Sequence, residues 1–204
     1  MTAAAAERAR ALPEGREIVT PARAVTVSSG GRSVELSLDR GTTYRLLAPE
    51  AELAGIIEDL SRSGLAGVVP CEGGLIGNLK VWENIALPLA WQGKSEPAVV
   101  ERRVRAMFAA LGIAGEDFSA LCRSLPERLS RLELRLVAFA RGMLIEPEIM
   151  VYDRLFEGLS QAQMEQARTL DTVFRRQFPF RTSIYLESEP PPLAVRIDAE
   201  RNLR

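Results

Sequence analysis

Four consecutive apolar residues, Ile149-Met150-Val151-Tyr152, set between Pro147 and the charged pair Asp153-Arg154, limit the fold more narrowly than any other stretch of the chain. Successive side chains of a strand point to opposite faces, so an unbroken apolar run needs cover on both sides. The flanks supply that cover. A helix is predicted from about Leu129 to Met143, with Leu132, Leu136, Phe139, Ala140 and Met143 inward. A second, from about Gln161 to Phe178, leads to a strand at Ser183-Ile184-Tyr185-Leu186 that Pro190-Pro191-Pro192 ends. Strands alternating with helices in this order predict an α/β fold with a parallel core sheet.

The N-terminal part has a different pattern. Residues 1–21, Ala-rich and then broken by Pro13, Gly15 and Pro21, read as a loosely ordered arm with a short helix around Ala3 to Leu12. Residues 22–204 read as the folded domain. Alternating runs at Ala24-Val25-Thr26-Val27 and Val34-Glu35-Leu36-Ser37-Leu38, joined by Ser28-Ser29-Gly30-Gly31, predict a hairpin. A third strand at Thr43 to Leu47 precedes a helical stretch with Leu53, Ile56, Ile57 and Leu60 on one face. A short strand follows at Gly67-Val68-Val69. Further on, Ser95 is expected to cap a helix carrying Pro97 in its first turn, with Val100, Val104, Met107, Phe108 and Leu111 as its apolar stripe and Gly112 as its stop. That stripe reads as core packing and not as a membrane-surface element, because the polar face mixes Glu with Arg.

Composition removes several functions. The chain carries 26 Lys and Arg against 27 Asp and Glu, so no net field draws it to nucleic acid or to an anionic membrane. No stretch reaches the ~18 apolar residues a membrane-spanning helix needs. A soluble chain with no direct membrane insertion is expected. There is no histidine, which excludes imidazole-activated nucleophiles and His-ligated metals, and Cys71 and Cys122 lack metal-ligand spacing. No metal site is expected, and both cysteines read as free thiols in a reducing compartment.

The pair that ends the apolar strand carries the chemical information. A buried strand ending in Asp-Glu presents one carboxylate to a magnesium ion and another to the water that attacks a γ-phosphate. Here the second residue is Arg154, which stays protonated at physiological pH and cannot serve as a base. Asp153 on its own is expected to satisfy neighbouring backbone N–H groups, with Arg154 neutralising it.

Two long segments resemble one family. GVVPCEGGLIGNLKVWENIALPL, residues 67–89, is similar to the Q-loop and the start of the helical subdomain in the nucleotide-binding subunits of ABC transporters. LPERLSRLELRLVAFARGMLIEPEIMVYDRLFEGLS, residues 125–160, is similar to that family's signature helix, Walker B strand and D-loop in unbroken order. Within the family, the Asn84-to-Leu89 wording and Phe156-Glu157-Gly158-Leu159 most resemble the Mla-type ATPases of bacterial lipid transport. The resemblance implies a P-loop NTPase-like ABC ATPase fold, with a mainly parallel core sheet, an N-terminal antiparallel β subdomain and an inserted helical subdomain at about 75–140.

The same resemblance makes each departure interpretable. A phosphate loop needs Gly-x-x-x-x-Gly-Lys-Ser/Thr, whose backbone N–H groups wrap the phosphates. The matching stretch, Ala48 to Gly55, has lost both loop glycines; Pro49 is a remnant, Ala54 stands for the lysine, and Glu50 and Glu52 add negative charge. Cys71 stands at the Q-loop glutamine and Ser188 near the switch histidine. The signature Leu-Ser-Gly-Gly has become Leu129-Ser130-Arg131-Leu132. Arg131 and Leu132 would crowd a partner's γ-phosphate, although an arginine there could also pair with it.

A catalytically inactive, ABC-type subunit is therefore expected, with no cofactor of its own. ATP and magnesium would enter only if a partner subunit completes a site. The resemblance implies docking on an integral-membrane permease through Leu75, Val81, Trp82, Glu83, Asn84, Leu87, Leu89 and Trp91, where Trp82, Leu87, Leu89 and Trp91 are either groove anchors or core. It also implies a second ABC-type subunit, either a copy of this chain or an active paralogue, and a cytoplasmic location, peripheral on the inner membrane. Two alternatives stay open at this point: a weak ATPase giving a degenerate half-site to an active partner, in which Arg131 and Asp153 would matter, and a cytosolic scaffold.

Overall fold

The computed structural model describes residues 23–92, 96–190 and 197–203. The N-terminal arm, Ser95 and Pro191-Pro192 lie outside the described residues, as does the Trp91 side chain. Strands β1 (Arg23–Ser29) and β2 (Arg32–Leu38) pair antiparallel as a separate hairpin. The main sheet holds β3 (Thr43–Leu47), β4 (Ala66–Val69), β5 (Ile149–Asp153), β6 (Thr182–Glu187) and β7 (Ala199–Asn202). Its order is β4-β5-β6-β3-β7 and every pairing in it is parallel.

Alternation along β5 assigns its side chains to two cores. Ile149 and Val151 face a core closed by the hairpin and by helix α1 (Glu50–Arg62), through Leu53, Ile56 and Leu60. Met150 and Tyr152 face a larger core roofed by α5 (Arg131–Leu144) and α6 (Gln161–Gln177). All five β5 residues are buried, as a double-covered strand requires. Between β4 and α5 the chain forms α2 (Val81–Gln92), α3 (Pro97–Ala110) and α4 (Gly115–Arg123), which extend the larger core through Val81, Ile85, Phe108 and Phe118.

Several boundaries differ from the sequence expectation. Glu96, not Ser95, is the N-cap residue of α3, and no side chain caps it. Helix α5 begins after Leu129, because Ser130 and Glu133 form a reciprocal capping box that fixes the first turn at Arg131. Ser160 and Gln163 do the same for α6. The helix α4 and the strand β7 have no counterpart in the sequence reading.

Candidate functional site

The carboxyl ends of β3, β5 and β6 meet where a parallel sheet normally offers a ligand crevice. Here its β3 and β5 side is bridged by residues of the chain itself. Strand β3 ends at Leu47 and α1 starts at Glu50, so only Ala48 and Pro49 join them. The Glu52 N–H donates to the Pro49 carbonyl at 2.9 Å, already inside the first turn. The stretch from Ala48 to Gly55 is thus a two-residue turn and a helix, not a loop. Ala54, matched to the phosphate-binding lysine, is exposed on the second turn of α1. Glu52 is also displaced from its expected role. Its carboxylate accepts from the Ser29 hydroxyl and from the Gly30 N–H at 2.9 Å, so it anchors the hairpin turn.

Glu50 forms an ion pair with Arg154. The Arg154 Nη1 pairs with Glu50 across 104 residues, its Nε donates to Asp153 Oδ1 at 2.9 Å, and Glu157 stands 3.6 Å from the same Nη1. The bond to Asp153 holds the guanidinium above its already high ordinary pKa. Arg154 has φ +41°, a conformation that non-glycine residues seldom adopt, and its N–H donates to the Leu186 carbonyl at 2.9 Å. The backbone at the end of β5 is thus held in an uncommon conformation that presents a cation toward the start of α1. A carboxylate from the start of α1 and a guanidinium from the end of β5 thus bridge the two elements.

The other Asp153 oxygen accepts from the Cys71 N–H at 3.1 Å, so this aspartate ties the loop after β4 to the sheet. Cys71 is buried, and burial raises its thiol pKa, with Arg135 opposing. Arg135 is wholly buried in the middle of α5. Its Nε donates to the Cys71 carbonyl at 3.2 Å, and its Nη2 meets Cys71 Sγ at 3.3 Å and the Glu157 carbonyl at 2.6 Å. One guanidinium therefore clamps two loops, a role that sequence reading missed because a mid-helix arginine ordinarily faces water.

The start of α5 is occupied in the same way. Glu133 accepts from the Ser130 N–H and hydroxyl, both at 2.7 Å, so the positive end of the helix already has its carboxylate. Arg131 lies over Gly158, so closely that a Cβ built on that glycine would fall 1.9 Å from Arg131 Nη1. Gly158 has φ +66° and is required twice, for its conformation and for this contact. Arg131 thus lies against its own chain; the sequence expectation was that it would crowd a partner's phosphate, with pairing to that phosphate as the alternative.

At the end of β6, Glu187 is 5% exposed, and burial followed by Asp153 pushes its carboxyl pKa up to about 8. Ser188 follows it and lines a cleft of about 340 Å³ with Arg154 and Phe156. Among the described residues no three Asp, Glu or Cys side chains converge as metal ligands.

Solved structures share this architecture. CbiO1 from Clostridium perfringens, part of the ABC transporter complex cbiONQ, superposes with TM-score 0.62 at 13% identity, covering 84% of this chain and 78% of that one. The ATP-binding cassette MJ0796, in a dimeric post-hydrolysis state bound to ADP and Pi, gives TM-score 0.60 at 17% identity, covering 83% and 88%. The fold is that of an ABC-transporter ATP-binding cassette. By sequence, part of the chain is similar to part of two import ATP-binding proteins. The molybdate/tungstate import ATP-binding protein WtpC of Thermococcus kodakarensis is 31% identical over 152 residues, 63% of this chain and 44% of that protein. WtpC of Pyrococcus abyssi is 30% identical over 149 residues, 66% and 41%. The chain spans less than half the length of these curated relatives. No protein-family model matches it.

The segment that the resemblance assigned to docking divides in two. Val81 and Leu89 are buried in the larger core of the cassette, so they are not groove anchors. Asn84 is also fully buried. Its side chain accepts from the Ile76 N–H at 2.7 Å and donates to the carbonyls of Ile76, Leu79 and Lys80, which fixes the approach to α2. Glu83, exposed, accepts from the Lys80 N–H at 2.7 Å. Leu75, Trp82 and Leu87 are half-buried and keep partial faces to the outside, joined by Ile76, 43% exposed, which sequence reading had not singled out. Trp91 lies on the last turn of α2. Among the described residues no helix is long and apolar enough to cross a membrane.

Proposed function

We propose that this chain is a catalytically inactive cassette subunit that docks on an integral-membrane permease and contributes shape, not ATP turnover, to a transport complex. The observation that carries the reading is the Glu50–Arg154–Asp153 bridge, supported by the two-residue β3–α1 turn. A nucleotide would have to break that bridge and would find neither loop amides nor a lysine in return. The surface at Leu75, Ile76, Trp82 and Leu87 supports permease docking, in keeping with the way apolar anchors gather at interface centres. The subunit would sit on the cytoplasmic side of the inner membrane, paired with a second cassette. For cargo, the wording of residues 84–89 and 156–159 points to lipid, whereas the sequence relatives are named for molybdate/tungstate import, so the proposal rests on docking alone.

Calorimetric titration of the chain with Mg-ATP tests the inactive reading: no saturable heat up to about 1 mM is expected, and a micromolar isotherm overturns it. Isolation of the tagged chain from membranes tests docking, for which a polytopic partner should co-purify in detergent.

A further inference from the structure

The cleft beside the end of β6 has features that the inactive cassette does not use. Glu187 forms part of its wall, with its Oε1 buried and without a hydrogen-bond partner. A buried carboxyl oxygen left unpaired is costly and marks a place where a donor group belongs. Glu157 and Glu189 also line the cleft, and Phe156, Leu159 and Met164 supply an apolar wall. Among the described residues of the lining Arg154 is the one cation, and it is already engaged with Asp153, Glu50 and Glu157. Against three carboxylates it leaves the cleft short of positive charge.

A bare divalent ion does not suit these side chains, which do not converge as ligands. An organic cation with an apolar stem does: its charged end can donate to Glu187 while its methylenes lie against Phe156 and Leu159. We propose that this cleft is a binding site for a guanidinium or alkylammonium group, seated on Glu187. The group can belong to a free amine or to a basic side chain of a protein partner, since both present the same chemistry. The site stands independently of the inactive reading, because the cleft and Glu187 are present whether or not nucleotide binds elsewhere.

Proton linkage gives the site a signature. Glu187 must be ionised to hold the cation, so affinity should rise as pH passes its raised pKa of about 8. The charged groups that act on it are Asp153, Arg154 and Glu157 at the end of β5 and in the turn beyond, and Arg45 on β3. Glu189 is the further carboxylate of the cleft lining. No imidazole competes in this window, because the chain has no histidine.

The test titrates the whole chain with agmatine and, in parallel, with N-acetyl-arginine amide at pH 6.5 and 8.5, by calorimetry and saturation-transfer NMR. Saturable binding that strengthens about tenfold or more at the higher pH is expected, with loss of about tenfold or more in Glu187→Gln. That variant mimics the protonated side chain and should fold. Binding of agmatine supports a free-amine source, and binding of the peptide-like probe alone supports a partner's side chain. Absence of saturable binding by both probes, or equal affinity in Glu187→Gln, overturns the proposal. Mg-ATP titration of the same sample scores the inactive reading separately.

Discussion

Two regions of this cassette, the crevice at the ends of β3 and β5 and the segment from Leu75 to Gln92, have opposite relations to solvent. In the crevice, among the described residues, Glu50 and Asp153 hold Arg154, Glu133 holds Ser130, and Arg131 lies against Gly158. In the α2 segment the interior is also satisfied, by Val81, Asn84, Ile85 and Leu89, yet Leu75, Ile76, Trp82 and Leu87 keep apolar surface outward. Internal pairing closes a site, whereas internal pairing beneath an apolar surface presents one. The cassette fold supports both because its two cores, on opposite faces of the sheet, pack independently of the crevice.

The strongest way to break this comparison is Arg154→Glu, which restores a carboxylate at the expected base position. It would place that carboxylate beside Asp153, Glu50 and Glu187 without the Arg154 guanidinium that now pairs with the first two, and a loss of about 3–5 kcal/mol is expected in denaturant titration. ATP hydrolysis should remain at background. Turnover above background in the variant would show that the crevice is merely blocked and not lost.

Next in size is the pH response of Glu187. A carboxyl with a raised folded pKa gives stability that is complete below its unfolded value and fades as pH rises through about 8. Glu187→Gln should therefore match the parent near pH 5 and exceed it by on the order of 1–2 kcal/mol near pH 8.5 in chemical denaturation. An equal pH slope in both proteins would place the burial cost of this site elsewhere.

Smaller again is Ser130→Ala, which removes one half of a capping box and should cost about 1 kcal/mol with an unchanged denaturant slope. The smallest stability effect is expected at Ile76. Ile76→Ser should stay within about 0.5 kcal/mol of the parent and still reduce recovery of a membrane partner. Unchanged recovery would remove Ile76 from the docking surface and sharpen its boundary to Trp82 and Leu87.

How much of this was legible in the sequence depended on periodicity. The hairpin, β3, the α1 stripe, α5, β5, α6 and β6 all announce themselves by spacing, because their apolar residues face one or two cores. Strand β7 does not: Ala199-Glu200-Arg201-Asn202 is nearly all exposed, and its place is set by backbone pairing with β3, which leaves no hydrophobic signal. The helix α4 is short and its core contribution is largely Phe118 and Leu121. At the site, residue types showed departures from the family's phosphate-loop and signature patterns, but not which pairings those residues make. Which charge meets which across 104 residues is a tertiary fact, as is the burial of Arg135. The Ser130-x-x-Glu133 box was readable and would have placed the start of α5 correctly.

The two-residue turn between β3 and α1 also bears on reversal. A site lost through side chains can be restored one codon at a time, because its backbone is still waiting. Here only Ala48 and Pro49 separate β3 from α1, and the Glu52 N–H is already bonded to the Pro49 carbonyl in the first turn. A loop long enough to wrap a phosphate needs extra residues inserted after Leu47, which must keep β3 in register with β6 and β7. If the inactive reading holds, an engineer seeking ATP turnover would therefore graft a whole loop, and point mutagenesis libraries confined to the crevice should return nothing.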